Sequence, residues 1–299
     1  MERLNVPPEL QEIESALRSS GRSPEDLIAL IQGVGDQPST VAPVVSLKQS
    51  IQSAGVDCDG DRFERVLLAY AIAQSEPRID GAPVHDSVKP LIRREFQRLL
   101  EASPGAPPVL AGTDPFIAAS KIATLRRFPS GPMDWVVSGM PRSWFVKLGA
   151  GNLIPALRFI VFEFGGIKPA FYIHIAHPPR NRSLILRNEV RKSYYRMACS
   201  LALQPEIKGI MCASWFFDPE ARKDAPHLAW INEPFLEFGG RIVAILGPAP
   251  VESGFLKFNP ERREQFERGE LNLRTTLAMW PRKAALAWAA AHPDLADRL

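Results

Sequence analysis

Apolar residues in the first hundred positions recur at helical spacing. Ile13 and Leu17 lie four residues apart, which places them on one face of a helix. Ser23 and Pro24 open a second apolar pattern, because serine caps free amides and proline fits the first helical turn. The same spacing continues beyond them, so we expect a helical amino-terminal region over residues 1–102.

The pattern changes after residues 103–115, where prolines, glycines and small residues are typical of a linker. Beyond the linker, short apolar runs rich in β-branched and aromatic residues predict strands. These runs are Trp135–Ser138, Trp144–Leu148, Arg158–Phe164, Ala170–Ile175, Ile207–Phe217, Arg241–Leu246 and Asn272–Met279. Glycine-rich residues 165–169 join two of the runs and predict a hairpin.

A long helix is predicted at residues 183–203, between two of these strands. Its apolar residues Leu186, Val190 and Tyr194 lie four residues apart and share one face. This alternation of strands and helices predicts an α/β (α+β) fold for residues 116–299. We expect a mixed, mainly antiparallel sheet flanked by helices.

The composition of the chain indicates in which compartment of the cell the protein is expected. The longest apolar runs are shorter than the roughly 20 residues that a membrane span needs, so no span is expected. The first residues lack the basic and apolar regions of a secretory signal. Cys58, Cys199 and Cys212 form no metal-type pair, and their odd number is typical of a reducing compartment. We therefore expect a cytoplasmic protein.

Charge is distributed unevenly along the chain. Residues 1–114 carry 11 Lys and Arg against 17 Asp and Glu, whereas residues 115–299 carry 25 against 16. The basic second half is the better place for an anionic ligand. A nucleic acid is the less favoured ligand, because Tyr194, which interleaves with the basic cluster Arg180–Arg196, fits the apolar helix face.

The segment His177–Ser183 leaves the end of a predicted strand and enters the predicted helix. Free N–H groups and a partial positive charge at a helix start attract phosphate. Arg180 and Arg182 add forked donors that suit phosphate oxygens. The segment is therefore a candidate phosphate site, and a solvated basic turn without a ligand is the alternative.

The order of predicted elements resembles the core of the GNAT-type N-acyltransferases over residues 135–277. This order is a hairpin, an arginine loop, a helix, a strand, a helix that ends at a glycine pair, and a strand. The segment Phe235–Val243, which contains Gly239 and Gly240, is similar to that helix end. The resemblance implies an acyl-thioester donor and a small-molecule amine as acceptor.

The resemblance also implies where the donor binds. Its pantetheine arm is expected beside Ile175 and His177. Its phosphates are expected at four residues of the loop, Arg180, Asn181, Arg182 and Ser183.

The family's loop carries glycines, whereas this one has Pro178 and Pro179, which have no N–H to donate. The expected donor is therefore either a coenzyme A thioester or phosphopantetheine on an acyl carrier protein. A GNAT-like binding module without catalysis is a further alternative.

Transfer of an acyl group to an amine needs a base that takes the proton of the amine. Glu163 is a candidate base, because it lies in the predicted strand before the donor strand. His174 and Ser214 are candidate contacts on the acceptor side. The structural alternatives are a surface charge for Glu163, a structural role for His174 and a position at a strand end for Ser214.

A metal-dependent enzyme is the rival function. Glu163, His174, His177 and His227 have the side chains that hold non-heme iron or zinc. Residues 174 and 177 of a regular strand would, however, point to opposite faces. We therefore expect no metal.

Overall fold

The computed structural model describes residues 10–35, 40–101, 109–111, 113–141, 143–147, 150–176, 180–224, 226–250, 256 and 259–296. Contacts divide the chain into two compact units. The first takes its described residues from positions 1–82 and 88–129. The second takes them from positions 83–87, 130–176 and 180–299.

Helices make up most of the first unit. They are α1 (Gln11–Ser19), α2 (Pro24–Gly33), α3 (Ala42–Ser53), α4 (Arg62–Ser75), α5 (Lys89–Leu100) and α6 (Asp114–Ala123). The predicted start of α2 is confirmed, because the Ser23 hydroxyl accepts a hydrogen bond from the Asp26 amide at 3.1 Å. Helix α4 is buried along most of its length, from Phe63 to Ile72, and forms the centre of this unit. Helices α1 to α5 lie within the described residues 10–35 and 40–101.

The strands are β1 (Arg127–Pro129), β2 (Met133–Ser138), β3 (Ala170–Ile175), β4 (Gly209–Ser214), β5 (Arg241–Pro248) and β6 (Arg274–Pro281). The remaining helices, all in the second unit, are α7 (Ser143–Lys147), α8 (Ala150–Arg158), α9 (Arg187–Ala202), α10 (Pro219–Asp224), α11 (Glu233–Glu237), α12 (Pro260–Glu267) and α13 (Arg282–Ala291). A π-helix, Phe159–Phe164, continues α8. The predicted α/β class is confirmed. No described helix has the length and apolar character to cross a bilayer.

The strands of the second unit form one mixed sheet in the order β2-β3-β4-β6-β5. The pairs β2–β3, β4–β6 and β5–β6 are antiparallel, and β3 and β4 are parallel. Each of these antiparallel ladders joins six residue pairs, whereas the parallel ladder joins two, Phe171 with Ile210 and Tyr172 with Met211. The carboxyl ends of β3 and β4 lie beyond this short ladder.

Two predicted strands are wrong. Residues 144–147 fall in α7, and Leu148 lies outside the described residues. Arg158–Phe164 falls at the end of α8 and in the π-helix. Within the second run Phe159, Ile160 and Phe164 are buried, while residues 161–163 are exposed. A strand would bury alternate residues. The predicted hairpin across residues 165–169 is therefore wrong as well, and the antiparallel partner of β3 is β2.

Helices cover both faces of the sheet in the second unit. On one face the buried residues Phe159, Ile160 and Phe164 pack with Ala170 and Met211 of the sheet. The other face buries aromatic rings, and the rings of Tyr194 and Phe235 lie edge to face with their centroids 5.4 Å apart. Such two-sided burial explains the continuous apolar run of β4.

Candidate functional site

The carboxyl ends of β3 and β4 lie at the same edge of the sheet because the strands are parallel. His174 is the second-last residue of β3, and Ser214 is the last residue of β4. In the loop after β3 the structure describes Ala176 and then continues from Arg180, and a 3-10 turn, Trp215–Phe217, follows β4. Two of the three candidate catalytic residues are therefore brought to one edge.

His174 shares a face of the sheet with a buried carboxylate. Asp134 of β2 is its antiparallel partner, and side chains of such partners point to the same side. Tyr172 lies on this side too, with its ring centroid 4.9 Å from that of His174. The Trp144 ring of α7 lies 6.2 Å from Tyr172. His174 is thus half-buried among an acid and aromatic rings.

Arg180 forms an ion pair with Asp134. The Asp134 side chain is buried and that of Arg180 largely so, and a buried charge needs such a partner. This pair ties the loop after β3 to strand β2. The sequence predicts that Arg180 binds phosphate. In the structure its guanidinium is already paired with the Asp134 carboxylate, which offsets its positive charge.

The predicted helix start at Ser183 is wrong. Residues Arg180–Ile185 form a 3-10 helix, and α9 begins at Arg187. The Ser183 hydroxyl donates to the Arg180 carbonyl at 2.9 Å, so it closes this turn. Arg182 is exposed. His177 lies outside the described residues, as does the side chain of Asn181.

Glu163 lies in the π-helix and is exposed, with its Oε2 atom 3.2 Å from Arg241 Nη2. Arg241 is the first residue of β5, three strands from β3 in the sheet order. Three strand spacings amount to about 14 Å. The predicted strand beside the donor strand therefore does not exist, and Glu163 lies away from His174.

The other two candidates at the edge have structural contacts. The Ser214 hydroxyl accepts from the Phe216 amide at 3.3 Å and caps the turn after β4. Ile175 is half-buried and pairs with Met133 of β2. Both positions remain at the edge that His174 occupies.

The thiol of Cys212 in β4 lies close to the backbone of β3. Its Sγ atom is 3.9 Å from the Ile173 carbonyl oxygen, at the level where the parallel ladder has ended. Burial raises the pKa of Cys212 to about 12, because a thiolate there would lose its hydration. Burial also raises the pKa of Cys199 and of Tyr194. These groups are therefore neutral near pH 7.

Metal ligands do not cluster in the part of the chain that the structure describes. No group of three or more His, Cys, Asp or Glu side chains there could hold an ion. His177 and the side chain of His227 lie outside that part.

Asp134 is a site residue that the sequence reasoning missed. The signal was present in the sequence, since an acid stands inside the run Met133–Val137 of apolar residues. A buried acid in a strand needs a partner and often marks a site. Its partner Arg180 is 46 positions away, so the pairing could not be read from spacing.

Comparison of the chain with protein-family models, with curated proteins and with solved structures finds no match.

Proposed function

We propose that the second unit is an N-acyltransferase that moves an acyl group from a thioester to an amine. The observation that carries this proposal is the short ladder between β3 and β4. The parallel pair joins only at Phe171–Ile210 and Tyr172–Met211, and we place the ligand between the strand ends beyond these pairs. An extended pantetheine arm, which carries amide groups, could pair with strand backbone there.

The order of elements supports the same function. The antiparallel pair β2–β3 takes the place of the predicted hairpin, and the arginine loop, α9, β4, α11 and β5 follow. Gly239 and Gly240 stand between α11 and β5. The GNAT-type enzymes have a similar order of elements, except that here the pair β2–β3 stands where the hairpin was expected.

His174 is the proposed base. The amine nitrogen attacks the thioester carbonyl carbon, and the C–N bond forms as an imidazole nitrogen of His174 accepts the amine proton. The C–S bond then breaks, and the sulfur leaves as a thiolate that takes up a proton. In this assignment His174 replaces Glu163, which forms an exposed ion pair with Arg241.

The ion pair of Asp134 and Arg180 is the proposed positioning device. It holds the loop after β3 against β2, beside His174. Arg182, which is exposed in the same loop, is the proposed phosphate contact. The phosphate belongs either to coenzyme A or to the phosphopantetheine of a carrier protein, and both contain the same arm.

Donor binding is tested by thermal shift with acetyl-coenzyme A, octanoyl-coenzyme A and an octanoylated carrier protein. We expect at least one of them to raise the melting temperature, because a ligand of the native state stabilises it. Arg182→Ala should weaken the shift, and Arg263→Ala, in an exposed i,i+4 pair with Glu267, should preserve it.

Catalysis is tested with the stabilising donor and a panel of primary amines, by release of free thiol. His174→Ala should lower the rate at least about 100-fold while the donor shift remains, since general bases contribute that much. Glu163→Gln should leave the rate unchanged. A full rate in His174→Ala, or no shift with any donor, would contradict the proposal.

A further inference from the structure

The outer face of α8 and the π-helix exposes large apolar side chains. Ile154 is 76% exposed, Val161 56% and Phe162 80%, and Leu157 is exposed as well. We call these four residues the apolar ridge. Contiguous apolar surface of this kind is uncommon on a protein that acts alone and in water.

The inner face of the same segment is packed. Ala156, Phe159 and Ile160 are buried against the sheet, in one cluster with Met211 and Leu277. These contacts fix the rotation of the helix, so the ridge cannot turn inward. Its exposure is therefore a property of the folded second unit.

The net charge at the ridge is positive. Arg158 is exposed and lies in sequence between Leu157 and Val161. The only acid in the π-helix, Glu163, is neutralised by its pair with Arg241. An apolar face with basic side chains is typical of a helix that lies in the surface of a bilayer.

We propose that the apolar ridge inserts into the surface of an anionic lipid bilayer, with α8 and the π-helix lying in the plane of the interface. Insertion in this plane needs no membrane-spanning helix, and none is found among the described residues. Basic groups at the edge of an inserted face attract anionic headgroups. This inference is independent of the acyl-transfer proposal.

Two other occupants fit less well. A second copy would add the same basic side chain, Arg158, to the interface, and the π-helix offers it no acid other than Glu163, which is already paired with Arg241. A protein groove would have to match side chains that stand out almost fully, as Ile154 and Phe162 do. Lipid tails are fluid and adapt to such a ridge.

The test is flotation of the full chain with vesicles of phosphatidylcholine alone and of phosphatidylcholine with an equal part of phosphatidylglycerol. We expect stronger binding to the mixed vesicles. The double variant Ile154→Ser/Phe162→Ser should lower this binding about tenfold or more, because each buried side chain contributes strongly. Leu203→Ser, which changes an exposed residue elsewhere, is the matched control and should bind as the parent does.

Charge is tested separately by Arg158→Gln, which should lower binding to the mixed vesicles about fivefold. Lys283→Gln removes an exposed charge from α13 and should leave binding unchanged. Hydrogen exchange of the parent protein should slow at Phe159–Phe164 on addition of mixed vesicles, and this measurement needs no variant.

Failure of the parent protein to float with either vesicle would overturn the proposal. So would full binding by the double variant, or exchange at the π-helix that vesicles do not change. A dimer that forms in the parent and is lost in the double variant, without vesicle binding, would assign the ridge to a second copy instead.

Discussion

Asp218 shows at the residue scale how this protein accommodates buried charge. Its carboxylate is fully buried and accepts from the amide, Nε and Nη2 of Arg274 at 2.7, 3.2 and 2.9 Å. It also accepts from the Glu220 amide at 3.2 Å and so begins α10. The bond to Asp218 raises the pKa of Arg274. A single side chain thereby joins β6 to the segment after β4.

Asp218→Ala should destabilise the protein by about 2 kcal/mol or more, because the Arg274 side chain and the Glu220 amide lose the buried carboxylate that accepts from them. Glu267→Ala breaks an exposed pair with Arg263 and should cost no more than about 0.5 kcal/mol. Urea unfolding of the two variants measures both. Equal losses would mean that the buried pair contributes no more than a surface pair.

The raised pKa of Cys212 predicts that the stability of the protein falls at alkaline pH. Its pKa is raised from the ordinary 9.0 to about 12, so the unfolded chain loses this proton first as the pH rises. The contribution to stability is therefore complete below pH 9.0 and is lost between 9.0 and about 12. Over this window we expect a loss of about 1.4 kcal/mol per pH unit from this thiol.

Urea unfolding at several pH values in this window measures the slope. Cys212→Ala should have a shallower slope than the parent, since the buried thiol no longer titrates. Cys58→Ala removes a thiol whose pKa burial also raises, by less than that of Cys212, and should change the slope less. Identical slopes for the parent and Cys212→Ala would contradict the assignment.

At the element scale, the run Phe159–Phe164 is predicted as a strand but forms a π-helix. Its β-branched and aromatic residues favour a strand, and on that basis a strand was predicted. The helix α8 instead continues into it, and burial at Phe159, Ile160 and Phe164 follows the winding of a π-helix. Tertiary packing decided between two local structures that the same residues allow.

Strands β2 to β6 and helix α9 were predictable because their apolar patterns have one interpretation. Their pairing was not, since the order β4-β6-β5 and the short β3–β4 ladder depend on contacts distant in sequence. Some residues of the candidate site were predictable from the sequence, and others were not. His174 and Ser214 at strand ends could be predicted, whereas the pair of Asp134 and Arg180 could not.

Gly209, the first residue of β4, lies where the sheet leaves no space for a side chain. It has φ +157°, and a Cβ there would lie 2.3 Å from the Trp280 carbonyl oxygen and 2.7 Å from the Phe164 ring. Gly209→Ala should destabilise the protein by about 2 kcal/mol or more, because the backbone must move to remove the clash. Gly33→Ala, with no atom within 4 Å of the new methyl, should change stability by at most about 1 kcal/mol. Denaturant unfolding compares the two, and equal effects would contradict this picture of the sheet.

At the scale of the whole molecule, charge is distributed unevenly between the two halves of the chain. The 25 Lys and Arg of residues 115–299 exceed the 16 Asp and Glu there, while residues 1–114 are acidic. Under the proposed function, such a field would steer a phosphate-bearing donor toward the basic half and make its binding sensitive to salt. The proposed place for the arm of the donor lies beyond the short ladder of β3 and β4 in that half.

Hydrogen exchange over the whole chain, with and without acetyl-coenzyme A, octanoyl-coenzyme A or an octanoylated carrier protein, tests the central claim most directly. We predict that a bound donor slows exchange at the carboxyl ends of β3 and β4, at Ile173–Ile175 and Cys212–Ser214. Exchange in α4 of the first unit should not change. Unchanged exchange at both strand ends with every donor would contradict the claim that a thioester binds between β3 and β4.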